Sequence, residues 1–455
     1  MYTGIVSSLL FPLHEHLKKH CTVAVRKHME ASQWWPAERL AALRLERLRA
    51  LLADAGAHVP YYRALFRERG FDPQAVASLA DLQRLPLLTK PIIRAHTEAL
   101  KREGAQGLQR FNTGGSSGEP LVFHIGSERV SHDVAAKWRA TRWWGVDIGD
   151  AEIVVWGSPI EIGAQDRIRR LRDAMLRTEL LPAFEMSDAK LDGFVQAIRH
   201  RRPKMLFGYP SALTHIARHA EQRGVPMDDL GIRVAFVTSE RLYDDQRATI
   251  SRVFGCRVAN GYGGRDAGFI AHECPSGGMH VTAEDIVVEL IGPDDRPVPH
   301  GMPGEVVVTH LATRDFPFIR YRTGDVAVLD TGRCACGRGL PLLKEIQGRT
   351  TDFVVAADGT VMHGLALVYI VRDLLGVESF KIVQKSLEST HVLMVVNASF
   401  DRAHGAAIVA GFKRRLGESV EVAIDYVTHI PAEKSGKFRY VVSHAIAAPR
   451  EPSHA

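Results

Sequence analysis

Phe111-Asn-Thr-Gly-Gly-Ser-Ser-Gly-Glu-Pro120 runs directly into an alternating segment, Leu121-Val-Phe-His-Ile125. Glycines Gly114, Gly115 and Gly118 can adopt φ > 0 and let the main chain approach a ligand. Thr113, Ser116 and Ser117 add hydroxyl donors without bulk. N–H groups turned into such a concavity make a nest for an anion, most often a phosphate. No Gly-Lys-Ser/Thr follows at the spacing of a Walker A loop. Taken alone, the plainer reading is a surface turn, and the rest of the chain has to decide.

Outward from this loop, strand and helix patterns alternate. Residues 127–144 read as a helix, 152–156 as a buried strand, 190–201 as a helix and 204–207 as a strand. A helix at 211–223, a strand at 233–238 and a helix at 243–253 continue the series. That rhythm predicts an α/β core with a mostly parallel sheet. After about Gly261 the pattern becomes β-rich, with strands at 285–291 and 305–309 between Gly/Pro/Asp turns. From about Phe353 it becomes a small α+β unit, with strands at 353–356, 380–384 and 391–396 and helices at 365–375 and 404–416. Upstream, residues 36–55 form a leucine-faced helix.

At 455 residues the chain can bury a sizeable core. A net charge of +6 suits anionic small molecules, and no Lys/Arg block is dense enough to argue for nucleic acid. Five cysteines do not make a disulfide framework, which points to a reduced, cytoplasmic setting. The apolar stretch 4–13 lacks a basic leader and is too short to span a bilayer. It is expected to pack on the protein, and the sequence by itself gives no support for membrane contact.

Four further motifs carry chemistry. Asn260-Gly-Tyr-Gly-Gly-Arg-Asp266 follows a strand signal at 254–258 and would set Tyr262 on a loop as a stacking platform for a purine. Asp266, four positions on, could help to hold Mg²⁺ against phosphates. Pro317-Phe-Ile-Arg-Tyr-Arg-Thr-Gly-Asp325 ends in a carboxylate able to accept ribose hydroxyls. Gly348-Arg-Thr-Thr-Asp352 marks the passage into the last unit, and Glu433-Lys-Ser-Gly-Lys-Phe-Arg439 places Lys437 on a glycine-containing loop. Plainer readings exist for each: a glycine turn with a structural tyrosine, a surface aspartate, a solvated charge run.

In this order and spacing the motifs resemble those of the adenylate-forming enzymes over about residues 90–440. Phe207-Gly-Tyr-Pro-Ser211, Thr238-Ser-Glu240 and Cys334-Ala-Cys-Gly-Arg338 point to the phenylacetate–CoA ligase and CapK-like branch. The resemblance implies a large N-terminal α/β domain with a β-rich subdomain (1–349) and a small, mobile C-terminal α+β domain (350–455). It also implies a two-step reaction, in which a carboxylic acid and ATP give an acyl-adenylate that coenzyme A then converts to a thioester. By that resemblance Thr113–Gly118 would cradle phosphates, and Asn260, Gly261, Tyr262 and Gly263 would bind adenine. Asp325 and Arg349 would hold the ribose, Thr351 and Asp352 would form the hinge, and Lys437 would be catalytic. Arg265 and Asp266 stand where the family usually has Thr-Glu, which shortens the carboxylate expected to meet Mg²⁺. A homodimer is compatible with the sequence.

His272-x-Cys274 and Cys334-x-Cys336 flank the β-rich region and predict a closed structural Zn²⁺ site, with His280 as the rival to His272. Buried free thiols are the plainer reading. The acyl pocket is expected among Trp143, Phe207, Tyr209, Ser239 and Glu240, whose aromatic rings suit an aryl or arylacetic acid. Two alternatives stay open: acyl transfer to an amine or hydroxyl instead of coenzyme A, and a non-catalytic nucleotide-binding relative.

Overall fold

The computed structural model describes residues 2–112, 121–156, 167–183, 186–349, 353–372, 374–431 and 439–445. It divides into two compact units that meet in the chain at Ile346–Gln347.

The first unit is organised on a sheet of 11 strands. A separate hairpin, β1 (Gln109–Asn112) with β2 (Val122–Ile125), precedes it and flanks the Thr113–Gly118 loop, which lies outside the described residues. Strands β3 (Glu152–Trp156), β4 (Thr178–Pro182), β5 (Met205–Gly208), β6 (Val234–Thr238) and β7 (Arg257–Gly264) lie in the order β4-β3-β5-β6-β7, all parallel. Both faces of β5 and β6 are buried, which explains their unbroken apolar runs. From β7 the sheet turns antiparallel, through β8 (Gly268–Glu273) and β9 (Met279–Val281). It continues through β10 (Ile286–Ile291), β11 (Gly304–His310), β12 (Tyr321–Asp330) and β13 (Leu342–Arg349), with order β9-β13-β12-β11-β10 at that end.

One boundary differs from the sequence reading. The strand signal at 254–258 starts three residues early: the helix Asp244–Phe254 ends on Gly255 at φ 59°, and β7 begins at Arg257. A left-handed glycine stops a helix more abruptly than an apolar pattern reveals.

Helices in the first hundred residues close over the antiparallel half. Tyr62 donates to the Pro317 carbonyl at 3.1 Å, and Arg320 donates to the Leu85 carbonyl at 2.5 Å. Beneath them the helix Ser127–Trp143 buries charge. Arg139 Nη1 meets Glu284 Oε1 at 2.7 Å with both side chains buried, and Ser32 Oγ donates to the same oxygen at 2.7 Å. Next in the chain, Asp285 Oδ1 takes His132 Nδ1 and Arg47 Nη1, each at 2.8 Å. Burial pushes the Asp285 carboxyl up, but the His132 charge and hydrogen bond outweigh it and hold the group below the usual carboxylate range.

The second unit has the hairpin β14 (Phe353–Val355) with β15 (Val361–His363), then β16 (Val377–Gln384), β17 (Ser389–Val396), β18 (Glu421–Tyr426) and β19 (Val441–Ser443). The last four make one sheet in the order β18-β17-β16-β19, antiparallel only at β16–β17. Helices Leu365–Arg372 and His404–Leu416 supply its core through Leu367, Val371, Ile408 and Phe412.

Candidate functional site

The parallel strands deliver their carboxyl ends to one edge of the sheet, where ligands of open α/β folds bind. Ser239, just past β6, takes the left-handed conformation at φ 71° without being glycine. Such strain collects at functional positions. Glu240, beside it, accepts the Ser211 N–H at 3.2 Å and so satisfies the start of the helix Pro210–Gln222. Tyr209 closes this corner, its ring stacked on Trp156 at 4.5 Å between centroids.

Asn260–Gly264 is not a loop but the outer half of β7. Gly261 keeps pace with Thr238 on β6, and Gly264 pairs with Gly268 on β8. A Cβ on Gly263 would sit 2.2 Å from the Gly268 carbonyl oxygen, so the two backbones approach as closely as only glycine permits. Tyr262 is buried, and its hydroxyl donates to Asp325 Oδ2 at 3.0 Å. In the reverse sense Tyr321, from β12, donates to Asp266 Oδ2 at 2.6 Å. Two crossed Tyr–Asp bonds therefore join the Asn260–Asp266 and Tyr321–Asp325 motifs into one strip. Nothing local in the Tyr321–Asp325 motif says that the Tyr321 hydroxyl meets an acid 55 positions away, so the sequence does not single it out as a site residue.

Asp266 also accepts the Ala267 N–H, on Oδ1 at 3.1 Å. Each oxygen thus serves one protein donor and keeps a further lone pair, so the carboxylate is held in place by the fold. The Arg265 carbonyl is braced from below by Arg129 Nη2 at 3.4 Å, and Arg129 in turn pairs with Asp133 at 2.9 Å. Lys437, Thr351 and Asp352 lie outside the described residues, as do Thr113, Gly114, Gly115, Ser116, Ser117 and Gly118. Arg349 is placed at the end of β13 by its backbone alone.

The soft-ligand cluster forms with one change of member. Cys274, His280, Cys334 and Cys336 bring one ligand atom each within 4.8 Å of the others. Cys274 Sγ is 3.5 Å from Cys334 Sγ, and Cys336 Sγ is 3.2 Å from His280 Nε2. Two tight turns present them. The Gly277 N–H meets the Cys274 carbonyl at 2.8 Å, and the Gly337 N–H meets the Cys334 carbonyl at 3.1 Å. Gly278 must lack a side chain, since a Cβ there would lie 2.5 Å from Cys334 Sγ.

His272, the ligand expected from spacing, is not in this group. It is fully buried, with its ring 5.4 Å from Phe269 and 5.9 Å from Phe236. The turn after β8 carries Cys274 off the strand's alternation, so spacing along the strand no longer predicts its neighbour. Burial pushes the His280 imidazole down to about 4, and the Arg338 charge adds to this, which keeps it neutral and able to ligate. Burial opposes ionisation of Cys336, yet hydrogen bonds from the Arg338 backbone and side chain bring that thiol below its ordinary value. Three thiols and a neutral imidazole around one point match the donor set of tetrahedral Zn²⁺.

Trp143 packs beside the Cys/His cluster, and Phe207 shares the Trp156 stack with Tyr209. Trp143 stands edge-on to His280 at 5.6 Å, under the Arg338 guanidinium at 4.4 Å, and donates Nε1 to Gln33 at 2.7 Å. Phe207 is buried between Trp156 and Phe236, with Lys137 Nζ 4.0 Å over its ring. Aromatic composition cannot separate a pocket wall from a packing layer. Tyr209, Ser239 and Glu240 remain together at the strand ends.

The family described as CapK C-terminal domain matches residues 354–444. A phenylacetate–coenzyme A ligase of Thermus thermophilus is 27% identical over 336 residues, covering 70% of this chain and 72% of that protein. Protein CapK of Staphylococcus aureus is 22% identical over 391 residues, covering 84% and 85% of the two chains. A crystal structure of 2-hydroxyisobutyryl-CoA ligase, in the postadenylation state with R3-HIB-AMP, superposes with a TM-score of 0.72 at 22% identity. It covers 90% of this chain and 91% of that one. The ordered motifs, these relatives and the shared fold agree in what the chain resembles: adenylate-forming ligases, and among them the phenylacetate–CoA ligase and CapK-like branch.

Proposed function

We propose that this protein is an AMP-forming acid–CoA ligase acting on an aryl or arylacetic acid. The observation that carries the reading is the crossed pair Tyr262–Asp325 and Tyr321–Asp266, which ties together the two motifs assigned to adenine and ribose. In the first step a carboxylate oxygen attacks the α-phosphorus of ATP, and the bond to pyrophosphate breaks. Thr113, Ser116, Ser117 and the glycine backbone around them neutralise the departing phosphates. Lys437 stabilises charge on the transferred group. Asp325 and Arg349 hold the ribose, and Tyr262 lies against the adenine. In the second step a thiolate attacks the acyl carbonyl and AMP leaves with the bonding pair. The body is residues 1–349, and the small domain from 350 turns about Thr351–Asp352 between the steps.

Mg²⁺ arrives with the nucleotide as part of the substrate, and Asp266 acts by fixing Tyr321. Cys274, His280, Cys334 and Cys336 would hold Zn²⁺, which would serve a structural role by tying the two turns together. We place the reaction in the cytoplasm, where ATP and coenzyme A are both available; among the described residues no helix is long and apolar enough to cross a membrane.

A second reading is favoured by one observation, the CapK C-terminal match over 354–444. The acyl group would then pass to an amine or hydroxyl. Coenzyme A supplied as sole acceptor separates the two. Thioester accumulating in step with AMP supports ligation to coenzyme A, and acid-dependent pyrophosphate exchange with no thioester formed supports the alternative.

A further inference from the structure

We propose that the outer face of residues 2–17 is a docking surface for an anionic lipid bilayer. The inference does not depend on the reaction proposed above.

Residues 2–17 are continuously helical, as Tyr2–Ile5, a π turn at Val6–Leu10 and Phe11–Leu17. The widened turn closes with the Phe11 N–H on the Val6 carbonyl and leads into Pro12, which has no N–H to donate. One face is already spent on the body of the protein. Val6 is buried against Gly149, Phe11 meets Trp138 edge-on at 5.1 Å, and Thr3 donates to Asp150 at 2.7 Å.

The other face is apolar and open. Tyr2, whose hydroxyl donates to the Met175 carbonyl at 2.8 Å, begins a row with Ile5, Leu9, Leu13 and Leu17 that recurs every three or four residues and is 43% to 75% exposed. They account for most of the large apolar side chains left exposed among the described residues. Single exposed leucines are ordinary, but a helical stripe of them marks an interaction surface.

Charge selects the occupant. Up to Met29 the sole acid is Glu15, set against the exposed Lys18, Lys19 and Lys27, while the buried Arg26 is paired with Glu30. Glu15 is buried and consumed by His14, His20 and Thr22. Lys18, Lys19 and Lys27 are exposed, and Arg177 lies 5.7 Å over the Tyr2 ring. An apolar stripe bordered by cations and free of exposed acid complements anionic headgroups over an acyl layer. Pairing with a second copy would set these cations against one another.

The test is co-sedimentation of the full-length protein with phosphatidylcholine vesicles, with and without phosphatidylserine. The protein should favour the anionic vesicles by at least about tenfold and release as salt is raised. Leu9→Ser/Leu13→Ser should weaken binding at least about tenfold with an unchanged thermal midpoint, since both side chains are exposed. Lys18→Ala and Lys19→Ala should each cost about fivefold, on anionic vesicles alone. Indifference to both vesicle types, or binding that survives Leu9→Ser/Leu13→Ser, overturns the proposal. So does a lipid-free dimer that the same double variant disperses, which would assign the stripe to a second copy.

Discussion

The Cys/His cluster and the Tyr–Asp strip share one sheet and are built in opposite ways. In the cluster, Cys274, His280, Cys334 and Cys336 converge with the thiols and imidazole turned on a common point. In the strip, Asp266 and Asp325 are already hydrogen-bonded to Tyr321 and Tyr262 and stay half-buried. The first arrangement gathers soft donors that a cation would hold together. The second is complete without a ligand, and a nucleotide would join bonds that already exist. Damage to the cluster should therefore register as lost stability, and damage to the strip as lost activity at unchanged stability.

The largest expected effect belongs to the cluster. Cys336→Ser should abolish stoichiometric zinc, read by metal analysis, and lower stability by about 4 kcal/mol or more. His272→Ala should leave zinc content unchanged. Zinc lost from the His272 variant but kept by His280→Ala would reverse the assignment. On the other side, Lys437→Ala should reduce acid-dependent AMP formation by roughly 10²–10³-fold with zinc content intact. Tyr262→Phe and Tyr321→Phe each remove one hydrogen bond to a carboxylate. Each should raise the KM for ATP about tenfold, with little change in thermal midpoint. An unchanged KM alongside a large stability loss would make the strip structural and collapse the contrast.

A smaller effect concerns pH. Burial pushes His310 down from 6.5 to about 4, with the Arg129 charge adding to this. A histidine depressed in the folded state binds its proton first when unfolded, so stability should fall as pH drops from 6.5 toward 4. His132 has the opposite sense. Burial works against its charge, but Asp285 raises it, so its contribution is full below 6.5 and is lost as pH rises through the elevated value. Thermal scans of His310→Gln should show a shallower acid limb, and scans of His132→Gln a shallower alkaline one.

The sequence made the alternation of strand and helix from residue 127 to 254 legible because buried parallel strands read as uninterrupted apolar runs. Asn260–Gly264 reads as a loop because its glycines look like a turn; pairing with β6 on one side and with the later β8 on the other makes it strand. The cluster's members were visible as residue types, but choosing between His272 and His280 required the turn that follows β8. Trp143 and Phe207 read alike as pocket aromatics, and only the packing sets one against Arg338 and the other against Lys137. The crossed Tyr–Asp bonds span more than fifty residues, beyond any local pattern.

Carboxylate-dependent exchange of pyrophosphate into ATP bears most directly on the central claim, because it reports adenylation before any acceptor is involved. Across a panel of aryl, arylacetic and aliphatic acids, the wild-type protein should exchange label with at least one aromatic acid, and Lys437→Ala should not. Exchange absent for every acid, or equal in the two proteins, would contradict the account.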